Sequence, residues 1–380
     1  MTRIPRQHLT GLEALATIVS VGVMIGYTVL SIPLALPYIG MGSGVVIAAL
    51  DGSLTYLTMA LLMPTWGISG LETFRLKRQA EQYAGWNADH HLLKEQRIEC
   101  AIRKAWMAQA RGNFVEAKTY AEKVMAMAEG EIGRSVGSIY YALCLGVCGY
   151  AFQAEGRYQE ALEEFARATR MNLQPPSLSA PYYAQAAGAL YLLGRFEDAV
   201  LFAQQAIAGA VPDASAAEAH RWAALSLAEL RRGAEAVTHC EAGMFIQPIT
   251  PVNIWLMADR PWLLFLAGRE QEAEAKFAEL EPMAKTGPLS DLMQQEYQET
   301  LGRVRLLQGS LEASKALFSA SLNGPLGQNI SALYHLSLLA QNEGDIEAAQ
   351  AYRQRLMRES PESFYAQRLR EEIPSLSNMV

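Results

Sequence analysis

A glycine followed five residues later by an alanine recurs along this chain as Gly112/Ala117, Gly156/Ala161, Gly194/Ala199, Gly268/Ala273 and Gly344/Ala349. Self-similarity at a period of some tens of residues marks units that cannot bury an apolar face alone and must stack on their neighbours. Glycine ends a helix cheaply because it reaches positive φ with no Cβ in the way, and alanine lets two helices approach closely. The phrase therefore predicts helix–turn–helix hairpins. Two further copies are degenerate: Arg232-Gly233 before Ala236, with a shifted turn, and Gly309 before Ser314-x-x-x-Phe318, with Gly302 in the preceding helix. About seven hairpins are expected, at steps of 35 to 44 residues.

The fullest copy reads Gly149-x-x-Phe152-x-x-x-Gly156-x-Tyr158-x-x-Ala161-x-x-x-Phe165-x-x-Ala168. Gly149 and Ala161 are placed at the helix crossing, and Phe165 is expected to fill the gap to the next hairpin. This pattern resembles the tetratricopeptide repeat (TPR), over residues 97–361. The resemblance implies an all-α solenoid whose concave face, built by the first helix of each hairpin, holds an extended peptide or a partner helix. The family repeat is about 34 residues, so the longer steps here put extra residues into helices or loops. Gln174-Pro175-Pro176, Pro212-Asp213 and Gln247-Pro248-Ile249-Thr250-Pro251 are candidate loops.

The N-terminal region has a different texture. Ala14 to Leu50 holds no Asp, Glu, Lys or Arg, and after Asp51 the uncharged run resumes from Gly52 to Leu71. One helix of about 20 residues crosses a bilayer core of about 30 Å, so this length predicts two spans, near 12–36 and 44–64. Pro33, Pro37, Gly40, Gly42 and Gly44 supply the reversal. The uncharged run is longer than a signal-peptide core. Arg3 and Arg6 precede the first span, and Arg75, Lys77 and Arg78 follow the second. Cations are retained on the cytoplasmic side, so both ends of the hairpin, and the repeats, are expected there. Asp51 is a candidate intramembrane polar contact, or else sits in the far headgroup layer.

The expected organisation is a membrane hairpin over 1–71, a connecting helix or linker over 72–96, an α-solenoid of TPR-like hairpins over 97–361 and a C-terminal tail over 362–380. Ser135 to Ala154 is uncharged for 20 residues, but its repeat signature makes it a buried helix of the array and not a third span. A formal net charge of −7 without clustered cations gives no footprint for nucleic acid.

No catalytic residue, metal or cofactor is expected. The chain has no phosphate-binding loop with a lysine and no His-Glu-x-x-His, and Gly40-Met41-Gly42-Ser43-Gly44 is a turn between spans. Cys144 and Cys148, one helical turn apart, read as core beside Gly149, His239-Cys240 as core or hairpin filler, and Asp89-His90-His91 as linker.

Trp106, Tyr150 and Tyr191 are candidate groove residues for a partner, or else pack between hairpins; the sequence leaves both open. The lysine-rich clamp of TPR proteins that bind carboxylate termini is not visible. The layout of a membrane hairpin before TPR hairpins is similar to PelE-type subunits of exopolysaccharide synthase complexes. It implies a non-enzymatic scaffold of the bacterial inner membrane, meeting lipid and membrane-protein partners through the hairpin and other proteins through the concave face. A tethered periplasmic assembly chaperone and an enzyme with a site in the degenerate repeats are the alternatives.

Overall fold

The structure, a computed structural model, describes residues 88–89, 94–128, 135–171, 173–211, 213–246, 250–286, 290–322 and 329–372. The two expected spans and Asp51 lie outside these residues. Among the described residues no helix is long and apolar enough to cross a membrane, and Ser135–Ala154 is accordingly a helix of the array.

The chain divides into two compact units, 1–131 and 132–380. The first contains one described hairpin, α1 (Lys94–Ala110) with α2 (Phe114–Ala128). The second contains six hairpins. They are α3 (Ser135–Ala154) with α4 (Tyr158–Thr169), α5 (Ala180–Leu192) with α6 (Phe196–Gly209), and α7 (Ala214–Glu229) with α8 (Gly233–Met244). Then come α9 (Pro251–Leu266) with α10 (Glu270–Thr286), α11 (Ser290–Leu307) with α12 (Leu311–Leu322), and α13 (Ile330–Asn342) with α14 (Ile346–Glu359). A last short helix, α15 (Phe364–Glu372), follows in the stretch that the sequence reading treats as tail. Seven hairpins are thus present among the described residues, with the geometry of tetratricopeptide repeats.

All seven turns close in the same way. In the clearest, the Gly156 N–H donates to the Gln153 carbonyl at 3.1 Å and the Arg157 N–H to the Phe152 carbonyl at 2.9 Å. This paired closure satisfies the last carbonyls of the first helix and needs a left-handed residue. Gly156 supplies it at φ 74°. The fourth hairpin departs in residue type and not in geometry. Arg231, five residues before Ala236, holds the left-handed position at φ 59°, and Arg231 and Arg232 make the same two bonds as Gly156 and Arg157. The expected shift of this turn to Gly233 is therefore corrected: Gly233 opens α8, where an added Cβ would lie 2.7 Å from the Leu266 carbonyl oxygen.

A non-glycine residue in this region costs about 1–2 kcal/mol, partly offset by the extra freedom glycine has when unfolded. Arg231→Gly is expected to stabilise the array by about 0.5–1 kcal/mol, read as a higher urea midpoint. Gly268→Ala, at φ 76° with nothing within 4 Å of the added Cβ, is expected to move the midpoint the other way.

The crossings follow the small-residue logic. A Cβ on Gly149 would lie 2.5 Å from the Phe165 ring, so the absent side chain is what admits the ring. Ala161 and Phe165 are fully buried beside it. The same arrangement recurs where Gly302 faces Phe318, with Ser314 in the alanine position donating through Oγ to the Gly302 carbonyl at 3.0 Å. A serine is tolerated in that core because its hydroxyl finds an acceptor at once. Cys144, Cys148 and Cys240 are likewise buried.

Four second helices are preceded by an arginine that reaches the acid three residues on: Arg157 to Glu160, Arg195 to Asp198, Arg232 to Glu235 and Arg269 to Glu272. These pairs are exposed and contribute little each, while the acids lie favourably at a helix N-terminus.

Within the second unit the hairpins curl until the exit of the last meets the turn of the first. Tyr158 hydrogen-bonds the Ser360 hydroxyl at 3.0 Å, and the Gln159 N–H donates to Glu362 at 2.8 Å. From there α15 runs along the inner edge, with Phe364 against Tyr191 and Phe196 and with Arg368 3.2 Å from Glu229.

Candidate functional site

The first helices of the hairpins in the second unit face inward, and their central members line a concave groove. One cavity of about 230 Å³ is walled by Tyr191 of α5, Arg221 and Trp222 of α7, Trp255, Asp259 and Trp262 of α9, Glu296, Glu299 and Arg303 of α11, Ser331 of α13 and Tyr365 of α15. A second, of about 430 Å³, shares Trp262, Arg303 and Tyr365 and continues past Glu229, Arg231, His335 and Arg368. Apart from Arg231 in a turn and the residues of α15, these named side chains all stand on first helices, which makes this the face that the repeat resemblance assigns to binding.

Two arginines organise the walls. The Arg221 Nε donates to Asp259 at 2.9 Å and its Nη2 to Glu296 at 2.7 Å, and the guanidinium lies over the Trp255 ring at 5.1 Å. Its charge is opposed by burial, yet Asp259 and Glu296 more than compensate, so it is held above the ordinary guanidinium range.

Arg303 donates to Glu299 at 2.7 Å, to the Ser331 hydroxyl at 2.8 Å and to the Tyr365 hydroxyl at 2.8 Å, and packs over Trp262 at 4.6 Å. Glu229 completes its surroundings at 3.8 Å. Glu299 also accepts from the Asn329 amide at 2.6 Å. Through these contacts a single side chain joins α7, α9, α11, α13 and α15.

Burial pushes the Glu296 carboxyl well above the usual carboxylate range, and Asp259 and Glu299 add to this while Arg221 opposes it. Tyr365 is pushed up to about 12 by burial, with Arg303 acting against the shift. His335, stacked on Phe318 at 4.8 Å, is lowered to about 3 by burial and by Arg303 and Arg368, so its ring is neutral across the physiological range. The groove thus presents flat aromatic faces between ion pairs held away from water, a surface suited to seating side chains of another chain.

The residues singled out from sequence fare differently. Tyr191 is buried on the cavity wall among Phe196, Trp222 and Phe364. Tyr150 sits edge-on to Phe165 at 5.6 Å, with its buried hydroxyl near Glu218 of α7 and Tyr182 of α5, and lines neither of these two cavities. Trp106 is 45% exposed on α1, in the first unit.

Sequence reasoning passed over Arg221, Asp259, Glu296, Glu299 and Arg303, and the three tryptophans 222, 255 and 262. A signal was present: α3 and α5 carry no charged residue, whereas α7, α9 and α11 place charges among their apolar ones. Charge on the inner helix of a solenoid has to face the groove or be paired.

No protein-family model matches this sequence, and no curated protein does. Solved structures overlap with it. PilF of Pseudomonas aeruginosa does so at a TM-score of 0.39 and 20% identity, over 73% of this chain and 99% of its own. The Rap conjugation gene regulator of plasmid pLS20, in complex with the Phr* peptide, gives 0.49 and 14% identity over 75% and 80%. The C-terminal part of a TPR repeat-containing protein from Cytophaga hutchinsonii gives 0.36 and 14% over 77% and 94%. The hairpin geometry described above, and not these overlaps, identifies the fold.

Proposed function

We propose that the chain is a membrane-anchored scaffold whose concave groove captures an extended segment or helix of a partner protein within a membrane complex, such as an exopolysaccharide synthesis or secretion machinery. The observation that carries the binding half is the groove itself, with Trp222, Trp255 and Trp262 on one continuous wall beside paired charges. Tryptophan and arginine dominate the residues on which protein interfaces depend, and stacked helix pairs offer their inner face to extended partners. Tyr191 belongs to this surface. The anchoring half rests on the 37 uncharged residues from Ala14 to Leu50 and on the cations that flank the two predicted spans. Asp51 in the second span would then serve contacts between the hairpin and a membrane partner.

Affinity purification of the full chain in mild detergent tests the proposal. Integral-membrane partners are expected to co-purify, and Trp255→Ala is expected to weaken their retention by roughly thirty-fold, the equivalent of about 2 kcal/mol for an interface anchor. Unchanged retention by Trp255→Ala would move the binding surface off the groove. If an unrelated anchor replaced the hairpin with no loss of partners, the docking role of the hairpin would fall. Labelling of a cysteine introduced on the exposed surface of α2 from the periplasmic side would reverse the orientation and favour the tethered periplasmic chaperone.

A further inference from the structure

Carboxylates outnumber cations on the wall of the smaller cavity. Asp259, Glu296 and Glu299 line it, and the two guanidiniums that face them, Arg221 and Arg303, are both committed. Arg221 alone serves both Asp259 and Glu296. Arg303 serves Glu299 and lies 3.8 Å from Glu229, which is also reached by Arg368. The surplus is therefore local to the end of the cavity where Trp255, Asp259 and Glu296 meet.

The groove also shows how it takes arginine. Arg368, contributed by α15, lies over the Phe364 ring at 5.0 Å while its guanidinium reaches Glu229. Arg303 repeats the motif over Trp262 with Glu299, and Arg221 over Trp255 with Asp259. Three times, a planar cation is held between an aromatic face and a carboxylate, the arrangement to which guanidinium is best suited. At about 230 Å³ the cavity is smaller than the sites of about 300–1,000 Å³ that enclose drug-sized ligands, so a side chain is a better match than a free cofactor.

We propose that this cavity seats an arginine side chain of the partner segment, its guanidinium bound by Glu296 and Asp259 against the tryptophan wall. The inference rests on the groove being the binding face. It adds a partner chemistry: an extended or helical segment with a basic residue at the position that meets Glu296.

The groups around Glu296 are Arg221 from α7, Asp259 from α9 and Glu299 from its own helix. Without a partner, burial favours the protonated acid at Glu296, and an entering cation favours the carboxylate. Binding should therefore release protons and tighten as pH rises through the range where the free groove gives up its proton.

Panning a random dodecapeptide library on the full chain in mild detergent tests this directly. Enriched peptides are expected to share an arginine, and replacing that arginine with citrulline, which keeps the shape and removes the charge, is expected to cost at least ten-fold in affinity. Glu296→Gln is expected to erase most of that difference, while Glu347→Gln on the outer helix α14 leaves it in place. Should Glu296→Gln fail to fold, the comparison of the arginine and citrulline peptides on the unaltered chain decides alone: a ten-fold loss supports the proposal and equal binding overturns it. Enrichment of peptides with no basic residue, or equal binding of the citrulline form, overturns the arginine seat and leaves the groove as a peptide-binding face. No enrichment at all overturns both.

Discussion

Arg303→Met lowers the unfolding free energy of the array by about 3–5 kcal/mol, the cost of removing one member of a buried ion pair and leaving the other without its counter-charge. The side chain is only 11% exposed, and Glu299, equally shielded, would face the interior with Asn329 as its remaining neutral donor. Methionine keeps the unbranched stem over Trp262, so the loss reports charge and hydrogen bonds more than volume. The effect is expected to be uneven along the chain, because Arg303 also holds the Tyr365 hydroxyl and Ser331. Release of α15 should precede unfolding of the hairpins, seen as protease cleavage within 364–372 at urea concentrations where helical circular dichroism is still intact. Adding Glu299→Gln to Arg303→Met is expected to recover part of the loss, since the stranded charge is gone. A double variant as unstable as the single one would mean that the arginine acts through packing alone.

The contrast between what the sequence discloses and what it hides follows range of contact. The turns are legible because left-handed closure is decided within six residues, by a backbone that needs Gly156 where it stands. The small-residue crossings are legible because Gly149 and Ala161 lie on consecutive helices of one hairpin, whereas Phe165, expected in the gap to the next hairpin, has its ring against Gly149 of its own. Where the local signal is lost, reading goes astray: with Arg231 in place of glycine, Gly233 is the nearest glycine on which to anchor the turn, and the register slips by two residues.

The groove obeys no such local rule. Arg221 meets Glu296 across 75 positions, and Arg368 meets Glu229 across 139. Those distances close only after three hairpins, for the first pair, and four, for the second, have stacked and curled, so the pairing depends on the cumulative rotation of the array. Tyr150 and Tyr191 illustrate the limit: both are tyrosines of inner helices, yet one packs edge-on to a ring of its own hairpin and the other faces the cavity. The proposed membrane anchor is a different case, resting entirely on hydropathy and flanking charge over residues outside the described part of the chain.

Phe165→Ala is expected to destabilise the second unit by about 3–5 kcal/mol, as for a fully buried aromatic whose site cannot collapse. The ring is wholly excluded from solvent, wedged against Gly149 and edge-on to Tyr150, so its removal opens a void between α3 and α4. The reverse change tests the same fit from the other side. Gly149→Ala puts a Cβ 2.5 Å from the ring and is expected to cost about 1–3 kcal/mol by overpacking.

Gly302→Ala, where the corresponding distance to Phe318 is 3.1 Å, should cost less, because a shift of a few tenths of an ångström relieves it. If glycine and phenylalanine act as one packing unit, Gly149→Ala combined with Phe165→Leu will be more stable than the sum of the single changes predicts, by about 0.5–3 kcal/mol of coupling in urea titrations. Strict additivity would sink the idea that the repeated glycine is there to admit the ring. It would leave helix entropy as the reason for the glycine's cost, and that predicts a gain in stability from Gly149→Ala instead.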